Sequence, residues 1–238
     1  MSELKTSDQK QLTPWRMALS MAWRMPLFVG LLVGIVGLAA GRWDLWNVWA
    51  YAFVFVVGMS AGVVVVSRTD PTLFQERMKP GPGGKDPGLR WWTTALFVLQ
   101  WVMAGLDAGR FRWSGGVPAW IIVAGLVLLA GSLGLSIWAM SVNRFFSSDA
   151  RIQRDRGHRV VTSGPYQLVR HPGYAAALVM GVASGLALAS YVSLLPMLLA
   201  GGLIVRRLLI EDRLLLGELE GYSDYAARVP YRLVPGIW

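Results

Sequence analysis

Two polar clusters interrupt an otherwise apolar sequence and hold most of its potential for chemistry. The first is Ser163-Gly164-Pro165-Tyr166, followed closely by Arg170-His171-Pro172-Gly173-Tyr174. Gly-Pro makes a turn, and Pro172 suits the first turn of a helix, where a missing N–H leaves no bond unmade. Arg170 and His171 then fall where that helix meets water, with Tyr174 about one turn further in. The exposed N–H groups and positive dipole end of such a helix, helped by an arginine, can hold a carboxylate. Spacing alone allows a second reading, in which Arg170 and His171 anchor the helix among lipid headgroups.

The second cluster is Arg206-Arg207-Leu208-Leu209-Ile210-Glu211-Asp212-Arg213. Glu211 at the inner end of an apolar helix is costly unless it is paired or functional, and Arg206 is expected to share its face. A headgroup-level set of ion pairs, Arg207 to Glu211 at i,i+4, is the alternative, and Asp212 and Arg213 are read that way. Further on, Tyr222, Tyr225, Val229-Pro230 and Arg232-Leu233-Val234-Pro235 read as an amphipathic tail lying on a membrane. Cysteine is absent, which removes disulfides, a thiol nucleophile and thiolate metal sites. The two histidines are too few for a histidine metal centre, so no metal is expected.

The elements that position these clusters follow from composition. The chain is 54% hydrophobic and 16% charged, too little charge to cover a soluble surface, where about 25% is usual. Apolar runs near the roughly 20 residues needed to cross a bilayer occur at Met25–Gly41, Leu45–Val66, Trp91–Ala108, Val117–Val142, His171–Ala189 and Val192–Val205. The last is short and continues as an amphipathic stretch, Arg206–Leu219. A count of five spans, with residues 17–41 partly interfacial, is the alternative to six. Gly30, Gly34 and Gly37 offer small residues for close helix contacts. No cleavable signal peptide is expected at the start of the chain. Of the 23 Lys and Arg, 20 fall in alternate inter-span segments and 3 in the others. By the positive-inside rule this puts both termini and the two long loops in the cytoplasm. It also explains the net charge of +9 without nucleic acid.

Those loops differ in character. Residues 68–90 contain the turn-rich Lys79-Pro80-Gly81-Pro82-Gly83-Gly84-Lys85, read as a connector. Residues 143–170 are expected to be structured, with short extended pieces at Phe145–Gln153 and Arg159–Thr162; an ordered loop of this length usually has a function. The resulting fold class is an all-α polytopic membrane protein of about five or six transmembrane helices. Residues 1–140 supply the first helices, and residues 141–238 supply the loop, the last two spans and the tail, as one unit.

The run His158–Tyr174 (HRVVTSGPYQLVRHPGY) resembles the signature of isoprenylcysteine carboxyl methyltransferases and their phospholipid N-methyltransferase relatives. The spacing from Glu211 through Leu214 to Tyr222, Tyr225 and Val229-Pro230 is similar too. The resemblance covers roughly residues 140–238, and the ERMKPGPG stretch is similar to bacterial members, which implies a bacterial inner membrane. It implies S-adenosylmethionine as cofactor, enclosed by the loop, the last two membrane helices and the tail. By the same resemblance, Gln153, His158, Val161, Gly164 and Tyr166 wrap the adenosyl part, and Arg170, His171 and Tyr174 complete the cofactor site. Arg206 and Glu211 stand at the methyl-transfer centre, and the partners are the lipid bilayer and a lipophilic small-molecule acceptor. The chain departs from the family where Ile210-Glu211 replaces a pair of acidic residues and where Glu218-Leu219 replaces Phe-Gly. Competing readings are a sterol-reductase-like membrane enzyme using NADPH and a non-catalytic scaffold or transporter.

Overall fold

The computed structural model describes residues 23–70, 73, 88–147 and 149–238. Among the described residues seven α-helices follow in order: α1 Arg24–Ala40, α2 Trp46–Thr69, α3 Leu89–Gly105, α4 Ala119–Val142, α5 Pro172–Ala187, α6 Leu194–Glu218 and the short α7 Tyr222–Arg228. α3 runs on into a π-helical segment, Leu106–Phe111, and single 3₁₀ turns form at Arg154–Arg156 and Gly164–Gln167. Among the described residues there is no strand, so the extended pieces expected in the loop do not form a sheet. The Lys79–Lys85 stretch, the ERMKPGPG stretch and nearly all of the polar N-terminal segment lie outside the described residues.

α2 and α4, each of 24 residues, are long and apolar enough to cross a membrane. α1 and α5 are apolar but shorter, at 17 and 16 residues. Large apolar side chains cover the outward faces: Phe53 is 69% exposed, Trp120 72% and Leu198 68%. Such a surface suits lipid and not water.

The helices pack in a ring, with α1 touching α2 and α3, α2 touching α4, α4 touching α5, and α6 closing between α5 and α3. Gly105 and Gly109, four residues apart at the end of α3, allow its closest approach to α1. A Cβ on Gly105 would sit 2.5 Å from the Val36 carbonyl oxygen, and one on Gly109 would overlap Ala40. The small residues expected to do this, Gly30 and Gly34, meet nothing, and Gly37 makes room for Trp43 of its own turn. Lipid offers little hydrophobic drive between helices, so close backbone contact and polar ties carry more of the packing. Accordingly Asn47 of α2 donates to the Ala187 carbonyl at 3.3 Å, and Gln100 of α3 to the Gly181 carbonyl at 3.1 Å.

The two ends of the bundle differ. One end gathers residues 41–45, 106–118 and 188–193 around Asp107, whose carboxylate is 1% exposed. It accepts the Ser114 N–H at 2.8 Å and the hydroxyls of Ser114 and Ser190. The other end gathers the 143–171 loop, the charged half of α6 and the tail.

Candidate active site

α5 begins at Pro172, and the chain entering it is pinned from the side by the tail. Arg170 N–H donates to the Tyr231 carbonyl at 2.9 Å, and His171 N–H to that of Arg232 at 3.0 Å. Asp212, on α6, is the hub of this arrangement. Its side chain is 2% exposed and takes a forked bond from Arg170, Nε to Oδ1 at 3.1 Å and Nη2 to Oδ2 at 3.0 Å. His171 Nε2 lies 3.0 Å from Oδ1, the Tyr222 hydroxyl donates to Oδ1 at 2.8 Å, and Arg232 Nε donates to Oδ2 at 2.9 Å. Burial opposes ionisation of Asp212, but the hydrogen bonds from His171, Arg170 and Tyr222 outweigh it and hold its pKa far below the usual carboxylate range. Arg170 also donates to the carbonyls of Val229 and Pro230 at 3.1 and 2.9 Å. Its guanidinium therefore fastens the tail to the start of α5.

The loop is built around Gln153, which is 1% exposed. Its amide donates to the Phe145 carbonyl at 2.6 Å, and its Oε1 accepts from Arg156 at 2.7 Å. Its backbone N–H reaches His158 Nδ1 at 3.2 Å, and the His158 ring rests on Phe145 with centroids 4.6 Å apart. Burial, and then the charges of Arg151 and Arg156, push the His158 pKa down to about 4, so the ring is neutral at pH 7. Tyr166 accepts from Asn143 at its hydroxyl, 2.8 Å away, and its carbonyl takes the Tyr225 hydroxyl at 2.7 Å. Gly164, at φ +60°, lies against Trp138 and Val142 of α4; a Cβ there would be strained as well as crowded.

These elements enclose a cavity of about 440 Å³. Of the residues expected in a cofactor site, Gln153, His158, Val161, Tyr166, Arg170, His171 and Tyr174 line it. Gly164 does not; it shapes the turn that presents Tyr166. Glu211 also lines the cavity and accepts the Tyr174 hydroxyl at 2.6 Å. Arg206 is exposed and outside the lining, whereas Arg207 is 8% exposed, lines the cavity and lies within hydrogen-bonding reach of Tyr174. Helical geometry is the reason. Five residues of helix turn about 140° away from Glu211 and four turn only about 40°, so Arg207, and not Arg206, faces the cavity beside Glu211. Asp212 is likewise no headgroup-level charge but a buried carboxylate. Asn143, Phe145 and Arg151 complete the polar chamber, and Leu89, Arg90, Thr93 and Phe97 of α3 add a wall to which residues 141–238 do not contribute.

Residues 121–217 match the isoprenylcysteine carboxyl methyltransferase (ICMT) family. That stretch runs from α4 through the loop and α5 to the end of α6, the elements that supply most of the cavity. The chain is 33% identical over 134 residues to the cobalt-zinc-cadmium resistance protein CzcN of Cupriavidus metallidurans, covering 56% of this chain and 58% of that protein. It is 30% identical over 118 residues to protein-S-isoprenylcysteine O-methyltransferase B of Arabidopsis thaliana, covering 47% of this chain and 58% of the relative. The matches thus span a little over half the length of these curated relatives. The matched segment and the two relatives make the chain similar to the ICMT family across α4, the loop, α5 and α6.

Proposed function

We propose that the chain is an integral-membrane methyltransferase that uses S-adenosylmethionine and modifies a lipid-like or membrane-partitioning small acceptor. One observation carries this reading. The family-matched elements, together with α3 and the tail, enclose a cavity whose arginine-rich polar chamber continues toward apolar residues of α3, α5 and α6 such as Phe97, Met180 and Ile204, its apolar limb. A charged cofactor and an apolar acceptor need such an arrangement. The excess of Lys and Arg in alternate segments supports a chamber end that faces the cytoplasm, and the proposed setting is a bacterial inner membrane spanned by five or six helices.

The chamber fits the cofactor. The Phe145–His158 pair and Tyr166 offer flat faces for an adenosyl group, Arg159 offers donors for the cofactor's carboxylate, and Glu211 is a carboxylate that could face its sulfonium. When bound, S-adenosylmethionine supplies an electrophilic methyl group. The protein's task is then alignment, which can lower a barrier by roughly 7–11 kcal/mol. Tyr174 fixes Glu211, and Asp212 fixes His171, so both groups are held before any ligand arrives. A carboxylate acceptor needs no base and would be held by Arg207. An amine or hydroxyl acceptor must lose a proton, and Glu211 is the group placed to take it.

The test is product analysis. Purified protein in vesicles of bacterial lipid extract, given methyl-labelled S-adenosylmethionine, is expected to move label into organic-extractable material. Label confined to the aqueous phase would contradict the proposal.

A further inference from the structure

The apolar limb has a measurable end. On α3 the lining residues run from Leu89 and Arg90 through Thr93 to Phe97, a depth of about 12 Å at 1.5 Å per residue. On α5 they run from Tyr174 through Ala177 to Met180, about 9 Å. On α6, where Leu214, Leu215 and, just past its end, Leu219 line the chamber, the lining inward of Glu211 passes Arg207 to Ile204, about 10 Å, and from Asn143 at the end of α4 to Ser136 is a similar distance. On α3 and α5 the lining ends at one level, because Gln100, just past Phe97, bonds to the carbonyl of Gly181, just past Met180.

What lies beyond that level is packed. Gln100, one turn past Phe97, is fully buried and bonded to the carbonyl of Gly181, the residue after Met180. Met180 itself packs against the core formed by Trp101, Ala104, Ala183 and Leu129. The whole cavity, at about 440 Å³, is near the lower end of the roughly 300–1,000 Å³ typical of ligand sites.

We infer that the limb limits acceptor length: it takes a compact amphiphile whose apolar body extends about 10 Å from its reacting head, and Phe97 and Met180 close the far end. This rests on the methyltransferase reading and narrows its acceptor. A chain much longer than the limb must leave its end outside, where it gains nothing from the floor residues, and a shorter one leaves the floor uncovered.

The absence of cysteine makes a direct test possible. In vesicles, Met180→Cys carries the single thiol of the chain, and its reaction with a small thiol reagent reports whether the floor is covered. Paired series of n-alkylamines and n-alkyl carboxylates serve as probes, because the head group is unassigned. Octyl compounds are expected to slow labelling at least tenfold, butyl compounds to leave it unchanged, and hexadecyl compounds to do no better than octyl. Equal protection by butyl and octyl, or protection by hexadecyl well beyond octyl, would overturn the inference. Methyl transfer to the same series should peak near octyl and move toward decyl in Met180→Ala. A flat length profile would sink the limb as a ruler while leaving the enzyme standing. Length-dependent thiol protection without methylation of any probe would support the ruler and count against the methyltransferase reading.

Discussion

Asp212 accepts from Arg170, His171, Tyr222 and Arg232, so deleting its carboxylate leaves Arg170 buried without a counter-charge. Breaking one side of a buried pair costs about 3–5 kcal/mol. Asp212→Ala should lower the thermal unfolding midpoint by many degrees and abolish S-adenosylhomocysteine binding; an unchanged midpoint would refute the hub. The two neighbouring arginines give a sharper contrast. Arg207→Ala should lower kcat/KM on the order of 10²-fold, as loss of one well-placed cationic donor does. Arg206→Ala, on the exposed face, should stay within about twofold, and equal losses in both would contradict the placement. Tyr174 and Glu211 were singled out through the resemblance, since type and spacing alone left a headgroup role open, and the hydrogen bond between them joins residues 37 apart in sequence. Asp212 was legible from neither, because its partners lie 41 and 42 residues upstream and 10 and 20 downstream in sequence. Nothing local distinguishes such a residue from a surface charge.

At the scale of elements, the loop and the α1–α3 contact carry predictions of different kinds. The folded His158 has its pKa depressed to about 4, against about 6.5 unfolded. The unfolded chain therefore binds the proton more readily in that window. The stability of the loop is fully present above about pH 6.5 and declines as pH falls toward 4. Cleavage by a protease at the loop should accelerate over that range in the natural protein and less so in His158→Gln; parallel profiles would remove His158 from the account. The α1–α3 contact should fail with bulk: Gly109→Leu is expected to destabilise by at least the 1–3 kcal/mol of ordinary overpacking. Gly30→Leu, which meets open space, should be nearly neutral by the same thermal assay. Helix order followed from the apolar runs alone, since length and composition dominate in lipid. The small-residue face did not, because Gly30, Gly34 and Gly37 share helical spacing with true packing glycines, and only the neighbouring helix decides which are used. The π-helical end of α3 was hidden too, since it depends on Asp107 finding Ser114 and Ser190.

Across the whole molecule, the bundle is polarised. The Asp107–Ser190 end carries few cations, whereas the chamber end carries Arg151, Arg154, Arg156, Arg159, Arg170, Arg207 and Arg232. In the proposed orientation this positive end faces the cytoplasm. In intact bacterial cells a cysteine placed at Glu220 should be shielded from a membrane-impermeant maleimide and one placed at Val117 should react; the reverse pattern would invert the topology. Under the proposed function the same polarity would give each ligand its own route, the charged cofactor from the aqueous end and the acceptor from the bilayer. No fold-level feature distinguishes this division of labour from that of a reductase, so cofactor identity is the decisive point. Calorimetric titration of the purified protein with S-adenosylhomocysteine, and separately with NADPH, settles it. The account predicts saturable binding of S-adenosylhomocysteine, weakened at least tenfold in His171→Ala, and no binding of NADPH. Binding of NADPH alone, or of neither by protein with a cooperative unfolding transition, would contradict it.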